Sequence, residues 1–224
     1  MEERIEFKSA VRDHGSLLAS VEKRALIWMA ERMPGWVNSD HLTALGFASL
    51  LAVGASYWYA KYSQAGLIWA IVFLVVNWFG DSLDGTLARY RNKQRPRYGF
   101  YVDHIIDVLG AFAIMTGLAF SGHITPMVAA ALLVAFLMFS AETYLATYSV
   151  GRFKLSYMKF GPTEIRLLLM IGNIFALYHP VAHVFHKPFK FFDVGCSVAA
   201  ACMFITLLMS AAKNIRFLYN AERV

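Results

Sequence analysis

Six long, predominantly apolar runs decide what this 224-residue chain can fold into. They cover roughly Leu42 to Ala60, Ala65 to Tyr90, Gly99 to Phe120, Thr125 to Tyr148, Pro162 to Phe185 and Phe191 to Phe217. Each exceeds or comes close to the roughly 20 residues a helix needs to cross the hydrocarbon core of a bilayer. Lipid offers no hydrogen bonds to the backbone, so such runs satisfy themselves as helices. With 58% apolar and only 16% charged residues, the composition excludes an ordinary soluble domain. The expected fold is an all-α integral membrane protein with six transmembrane helices over residues 41–224, preceded by a juxtamembrane segment, residues 1–40.

That segment carries Leu17, Leu18, Val21, Ala25, Ile27, Trp28 and Met29 roughly on one helical face, with Lys23, Arg24 and Arg32 beside Trp28 and Trp36. It reads as an amphipathic helix lying on the membrane and ended by Pro34-Gly35. A soluble helix packed on the mouth of the bundle fits the same pattern. Charges run through the first forty residues, so no cleavable signal peptide is expected and the first apolar span serves as the insertion signal. A six-span path with both termini in the cytoplasm places 18 of the 21 basic residues on the cytoplasmic side, leaving Lys61, Lys187 and Lys190 outside. The net charge of +6 therefore reflects orientation and anionic lipid, and nucleic-acid binding is not expected. Cys196 and Cys202, six apart in one span, point to different helix faces and read as packing residues.

Four carboxylates interrupt this apolar sequence. Asp81 and Asp84 are three apart near the end of the second span, and Asp103 and Asp107 are four apart near the start of the third, so each pair shares a helix face. Ionised groups inside a membrane segment are expensive and point to function. Both pairs fall roughly 6 to 14 Å below the same end of an antiparallel helix pair. Four acids at one depth need neutralising, and their hard oxygens suit Mg2+ or Mn2+; two such ions are the economical number. Beyond Asp107 the third span offers no acid, so the site is a dead end rather than a continuous cation pathway, the arrangement a divalent-cation transporter needs.

The pattern Asp81-x2-Asp84-Gly85-x2-Ala88-Arg89 followed by Gly99-x3-Asp103-x3-Asp107 resembles the signature of the CDP-alcohol phosphotransferases, with all eight fixed positions matched over 27 residues. The nine-residue linker between Arg89 and Gly99 is slightly longer than is usual in the family. The resemblance implies a membrane enzyme of phospholipid biosynthesis. It would transfer a phosphoalcohol group, a phosphatidyl group in the main reading, from a CDP-linked donor to a hydroxyl acceptor and release CMP. By the same resemblance Asp81, Asp84, Asp103 and Asp107 are the ligands of two divalent cations, and Asp107 is also the general base. Gly85, Ala88, Arg89 and Gly99 line the nucleotide and diphosphate pocket, and the protein is a homodimer. CDP-diacylglycerol with a small polar acceptor is one donor reading; CDP-choline or CDP-ethanolamine with diacylglycerol is the other. Asp103-His104 is similar to the aminoalcohol type, whereas the chain length matches the bacterial type. A membrane prenyltransferase also holds magnesium on aspartates, but typically with two separated motifs on a longer chain.

For the acceptor, Glu142, Lys159, Glu164 and Arg166 are the candidate pocket, because they fall on the side of the acids. Pro162 followed by Glu164 is equally an ordinary helix start. Arg91, Lys93, Arg95 and Arg97 read as a positive-inside anchor. His179, His183 and His186 imitate a zinc-ligand stripe, yet Pro180 disturbs the helix there and the cluster lies away from the acids, so interfacial histidines are expected.

Overall fold

The computed structural model describes residues 11–13, 19–154, 161–184 and 186–222. Among these residues seven helices carry the architecture: α1 (Ala19–Arg32), α2 (Ser39–Tyr59), α3 (Ala65–Tyr90), α4 (Pro96–Phe120), α5 (Pro126–Val150), α6 (Pro162–Tyr178) and α7 (Phe191–Ala221). Their boundaries follow local chemistry. Asn38 caps α2 by accepting from the His41 backbone N–H at 3.0 Å, while the Asn38 N–H donates back to the His41 ring. Proline opens α4, α5 and α6, where its missing N–H costs nothing. Gly151, at φ 70°, ends α5 in the left-handed conformation.

Among the described residues five helices, α2, α3, α4, α5 and α7, are long and apolar enough to cross a membrane. The expected fifth span behaves differently. It stops at Tyr178 instead of running to Phe185, giving the 17-residue α6, because Pro180 supplies no N–H and steers the preceding His179 away from helical backbone. The chain then forms an antiparallel ribbon, which departs from the expected all-helical fold. Short strands are present in two pairs: β1 (Val11–Asp13) runs parallel to β2 (Arg152–Lys154), and β3 (Val181–Val184) runs antiparallel to β4 (Lys187–Lys190).

Helix α2 packs along α3 and α4, α3 also meets α6 and α1, and α5 lies between α4 and α7. The central core joins Val53 and Tyr57 of α2, Leu67 and Leu74 of α3, and Ile114 and Leu118 of α4. At the other end Leu26 and Ala30 of α1 bury against Leu83 and Leu87 of α3, while Trp28 stays 57% exposed on its outer face. Outward-facing Ile68, Val72 and Val75 on α3 form the greasy exterior expected beside lipid.

Close approach of α2 and α4 depends on Gly117, where an added Cβ would overlap the backbone of Gly54 and lie 2.8 Å from its Cα. Backbone cannot yield as a side chain can, so Gly117→Val should cost about 1–3 kcal/mol or more. A melting temperature several degrees below wild type in detergent is expected. An unchanged value would mean that the two helices do not meet there.

Candidate active site

Helices α3 and α4 both pack against α2, and across them Asp81 and Asp103 act on Asp107 through their charges. Asp81 is ion-paired to Arg166 of α6, with side-chain exposures of 25% and 12%. The Arg166 Nε also donates to the Asn77 Oδ1 at 2.8 Å, and the buried Asn77 Nδ2 donates to the Gly46 carbonyl of α2 at 3.0 Å. Three helices thereby hold the first acid.

Asp84 accepts from the Thr43 hydroxyl of α2 at 2.5 Å and from the Gly85 N–H. It feels the negative charge of Asp81 and, more weakly, the positive charge of Arg89. On α4 the side chain of Asp103 is 48% exposed and lies 3.9 Å from the His104 Nδ1. That nitrogen stands 2.6 Å from the Phe100 carbonyl. Asp107 is exposed, yet it lies in the field of Asp103, Asp81 and Arg166.

Among the described residues no three or more His, Cys, Asp or Glu gather so that they could hold a metal ion. As placed, Asp81 and Asp84 turn oxygens toward Arg166 and Thr43 rather than to a common point. The donor set nevertheless fits a hard divalent cation in chemistry: hard carboxylate oxygens on α3 and α4, with like charges that repel one another.

The proposed nucleotide positions have unequal settings. Gly85 leaves room for Arg89 to fold back along α3: a Cβ there would lie 3.3 Å from the Arg89 Nη1. Arg89 donates to the Thr86 hydroxyl at 3.0 Å, is exposed, and acts weakly on Asp84 through its positive charge. Ala88 is half-buried one turn after Asp84, and Gly99 faces open space at the start of α4.

The candidate acceptor residues separate. Arg166 stands at the acids. Glu164 is buried and accepts from the Gly161 N–H at 2.9 Å, capping α6, so the ordinary helix-start role is the one seen. Lys159 lies outside the described residues. Glu142 turns to α7: its Oε1 accepts from Ser210 at 2.9 Å and Asn214 at 2.8 Å, both on that helix, while its Oε2 is buried without a partner. Two residues on, Tyr144 points the other way, meeting the ring of His104 at 4.9 Å and lying in the field of Asp107 and Asp103. Positions two apart on a helix are about 200° apart in azimuth, so only one of them can face α4.

Sequence reasoning passes over Thr43, Asn77 and Glu22. Asn77 carries a readable signal, since it lies one turn before Asp81 in an apolar span. Glu22 of α1 has none, yet its Oε1 accepts from Trp78 at 2.8 Å and Thr163 at 2.7 Å, tying α1 to α3 and α6. Arg91 donates to the carbonyls of Met33, Pro34 and Val37, which makes it a structural clamp rather than a ligand.

Comparison with known proteins bears on this arrangement. The family model described as CDP-alcohol phosphatidyltransferase matches residues 36–212. An archaetidylinositol phosphate synthase of Pyrococcus horikoshii is 36% identical over 86 residues, a stretch covering 38% of this chain and 43% of that protein. This chain thus matches less than half the length of that curated relative. The crystal structure of Mycobacterium tuberculosis phosphatidylinositol phosphate synthase with CDP-DAG bound has the same fold, with a TM-score of 0.64 at 18% identity over 85% of this chain and 94% of that one.

Proposed function

This chain belongs to the CDP-alcohol phosphatidyltransferase family, and on that premise we propose that it is a multi-pass membrane enzyme transferring a phosphatidyl group from CDP-diacylglycerol to a hydroxyl acceptor, with release of CMP. The observation that carries this reading is the charge coupling of the two acid pairs, Asp81 and Asp84 on α3 with Asp103 and Asp107 on α4, and the action of Arg89 on Asp84. Asp81, Asp84, Asp103 and Asp107 would hold two divalent cations, Mg2+ or Mn2+, which supply positive charge against the phosphates.

The chain's own residues supply the rest. Asp107, exposed on α4, takes the proton from the acceptor hydroxyl. The acceptor oxygen then bonds to the phosphorus that bears the lipid, and the bond from that phosphorus to the CMP oxygen breaks. Arg89 donates to the diphosphate, Gly85, Ala88 and Gly99 keep the nucleotide side of α3 and α4 low, and Arg166 waits between Asp81 and the lipid-facing side. Beside Arg166 a groove of about 280 Å³ runs between α3 and α6, lined by Val75, Trp78, Thr163, Leu167 and Met170. Its apolar walls suit an acyl chain of a lipid substrate.

Orientation follows the distribution of basic residues, with α6 and its ribbon completing a sixth crossing, both termini and the acids on the cytoplasmic side, and α1 lying along the interface. A homodimer is the assembly proposed. His104 packs between Phe100 and Tyr144, with ring centroids 4.1 and 4.9 Å away.

CMP release by purified protein tests the reading, with CDP-diacylglycerol or CDP-choline offered against glycerol phosphate, inositol phosphate, serine and diacylglycerol. Inositol phosphate heads the panel because both named relatives are synthases of inositol phosphate lipids. Metal-dependent CMP release from CDP-diacylglycerol is expected. Release from CDP-choline alone would reverse the donor assignment, and no cytidine binding at all would overturn the activity.

A further inference from the structure

The ribbon that replaces the end of the fifth apolar run carries charge that the phosphotransfer chemistry does not use. It follows α6, which begins beside the acids and runs 17 residues away from them, about 25 Å at helical rise. The ribbon is a defined element, with Val181 paired to Lys190 and His183 to Pro188, closed at its base by the Phe191 N–H donating to the Pro180 carbonyl at 2.9 Å. His179, His183, His186, Lys187 and Lys190 are all exposed.

No acid balances them. Neither Asp nor Glu occurs from Ile165 to Phe192. The next acid, Asp193, accepts from the Thr125 N–H at 2.6 Å and the Thr125 hydroxyl at 2.8 Å. Among the described residues no carboxylate pairs with a cation of the ribbon. Lys190 donates to the Ile124 carbonyl at 3.2 Å, which fixes the ribbon against the α4–α5 connection. His123 in that connection is held below the ordinary imidazole pKa by burial, despite a hydrogen bond with the Ala60 backbone.

We propose that this ribbon is a binding surface for the phosphate headgroups of anionic lipids in the leaflet facing away from the acids. The chemistry is complementary on two counts. His183 and Lys190 stand diagonally on one face of the ribbon, about 7–8 Å apart at the backbone, a spacing that places one phosphate within reach of both side chains. Exposed Tyr178, Val181 and Phe189 sit beside the cations, so the surface offers apolar contact for acyl chains next to charge for the headgroup, as a membrane interface requires and a free anion does not. The histidines are not a metal cluster among the described residues.

Hydrogen exchange over residues 181–190 tests this with the full chain in nanodiscs of phosphatidylcholine, with or without phosphatidylglycerol. Exchange should slow about threefold or more with phosphatidylglycerol, and the effect should fade at high salt. Lys187→Gln/Lys190→Gln should abolish the difference, as should Lys187→Gln/His183→Gln, which leaves the Lys190 contact to Ile124 intact. CMP release in phosphatidylcholine should be unchanged in both variants, separating this surface from the catalytic reading. Equal exchange in the two lipids, or an anionic-lipid effect that survives both double substitutions, would overturn the proposal.

Discussion

Asp107→Asn is expected to lower metal-dependent CMP release by about 10²-fold or more, the scale on which a positioned general base contributes. Asparagine keeps the shape of the side chain and loses the ability to take a proton. The loss should not come from unfolding, because Asp107 is exposed and Asp103 and Asp81 repel it while Arg166 attracts it. Removing that net repulsion leaves the packing of α4 intact, so the melting temperature should hold within a degree or two of wild type. Turnover by purified, folded Asp107→Asn close to the wild-type value would remove Asp107 from the proton-transfer role.

The acids were legible because their chemistry conflicts with their surroundings. A carboxylate in an apolar span announces itself, and spacings of three and four place each pair on one face. Depth was also legible, since residue count along a helix converts directly into distance. Azimuth was not. Glu142 and Tyr144 lie at nearly the same depth of α5, yet one meets α7 and the other α4, and hydropathy does not tell which face a neighbour covers. Contacts between remote segments were equally hidden: Thr43 on Asp84 and Glu22 on Trp78 arise from helix packing, not from any local pattern. The early end of α6 was foreshadowed by Pro180, whose missing N–H a hydropathy average does not register.

Arg166 was placed by sequence among acceptor candidates only because it falls on the side of the acids. The structure gives it a more specific setting. It links Asn77 and Asp81 on α3 and acts on Asp107 of α4, so α6 is electrostatically part of the acid hairpin. Glu22 extends this from the other direction by joining α1 to Thr163 at the start of the same helix. With α2, whose Thr43 donates to Asp84, five elements thus converge on the site, which explains why a signature confined to α3 and α4 understates the residues that shape it.

Asp84→Asn should move stability and activity in opposite directions. Asp84 is half-buried, lies in the field of the like-charged Asp81, and is opposed only weakly by Arg89. The amide oxygen of asparagine still accepts from Thr43, the acceptance from the Gly85 N–H is lost, and the neutral side chain no longer repels Asp81, so with chelator present the variant should melt near or above the wild-type temperature. Adding Mn2+ should reverse the order. A cation that binds only the folded protein stabilises it by about 2.7 kcal/mol at a hundredfold excess over its dissociation constant, and the variant, with one carboxylate fewer, should gain much less. CMP release should fall at least as far as the roughly 10- to 100-fold cost of losing a residue that only supports a metal ligand. Melting curves with chelator and with Mn2+, run beside the activity assay, check all three outcomes. A variant that Mn2+ stabilises as fully as wild type would exclude Asp84 as a ligand, while one that melts lower in chelator would show that its charge is already balanced by the protein.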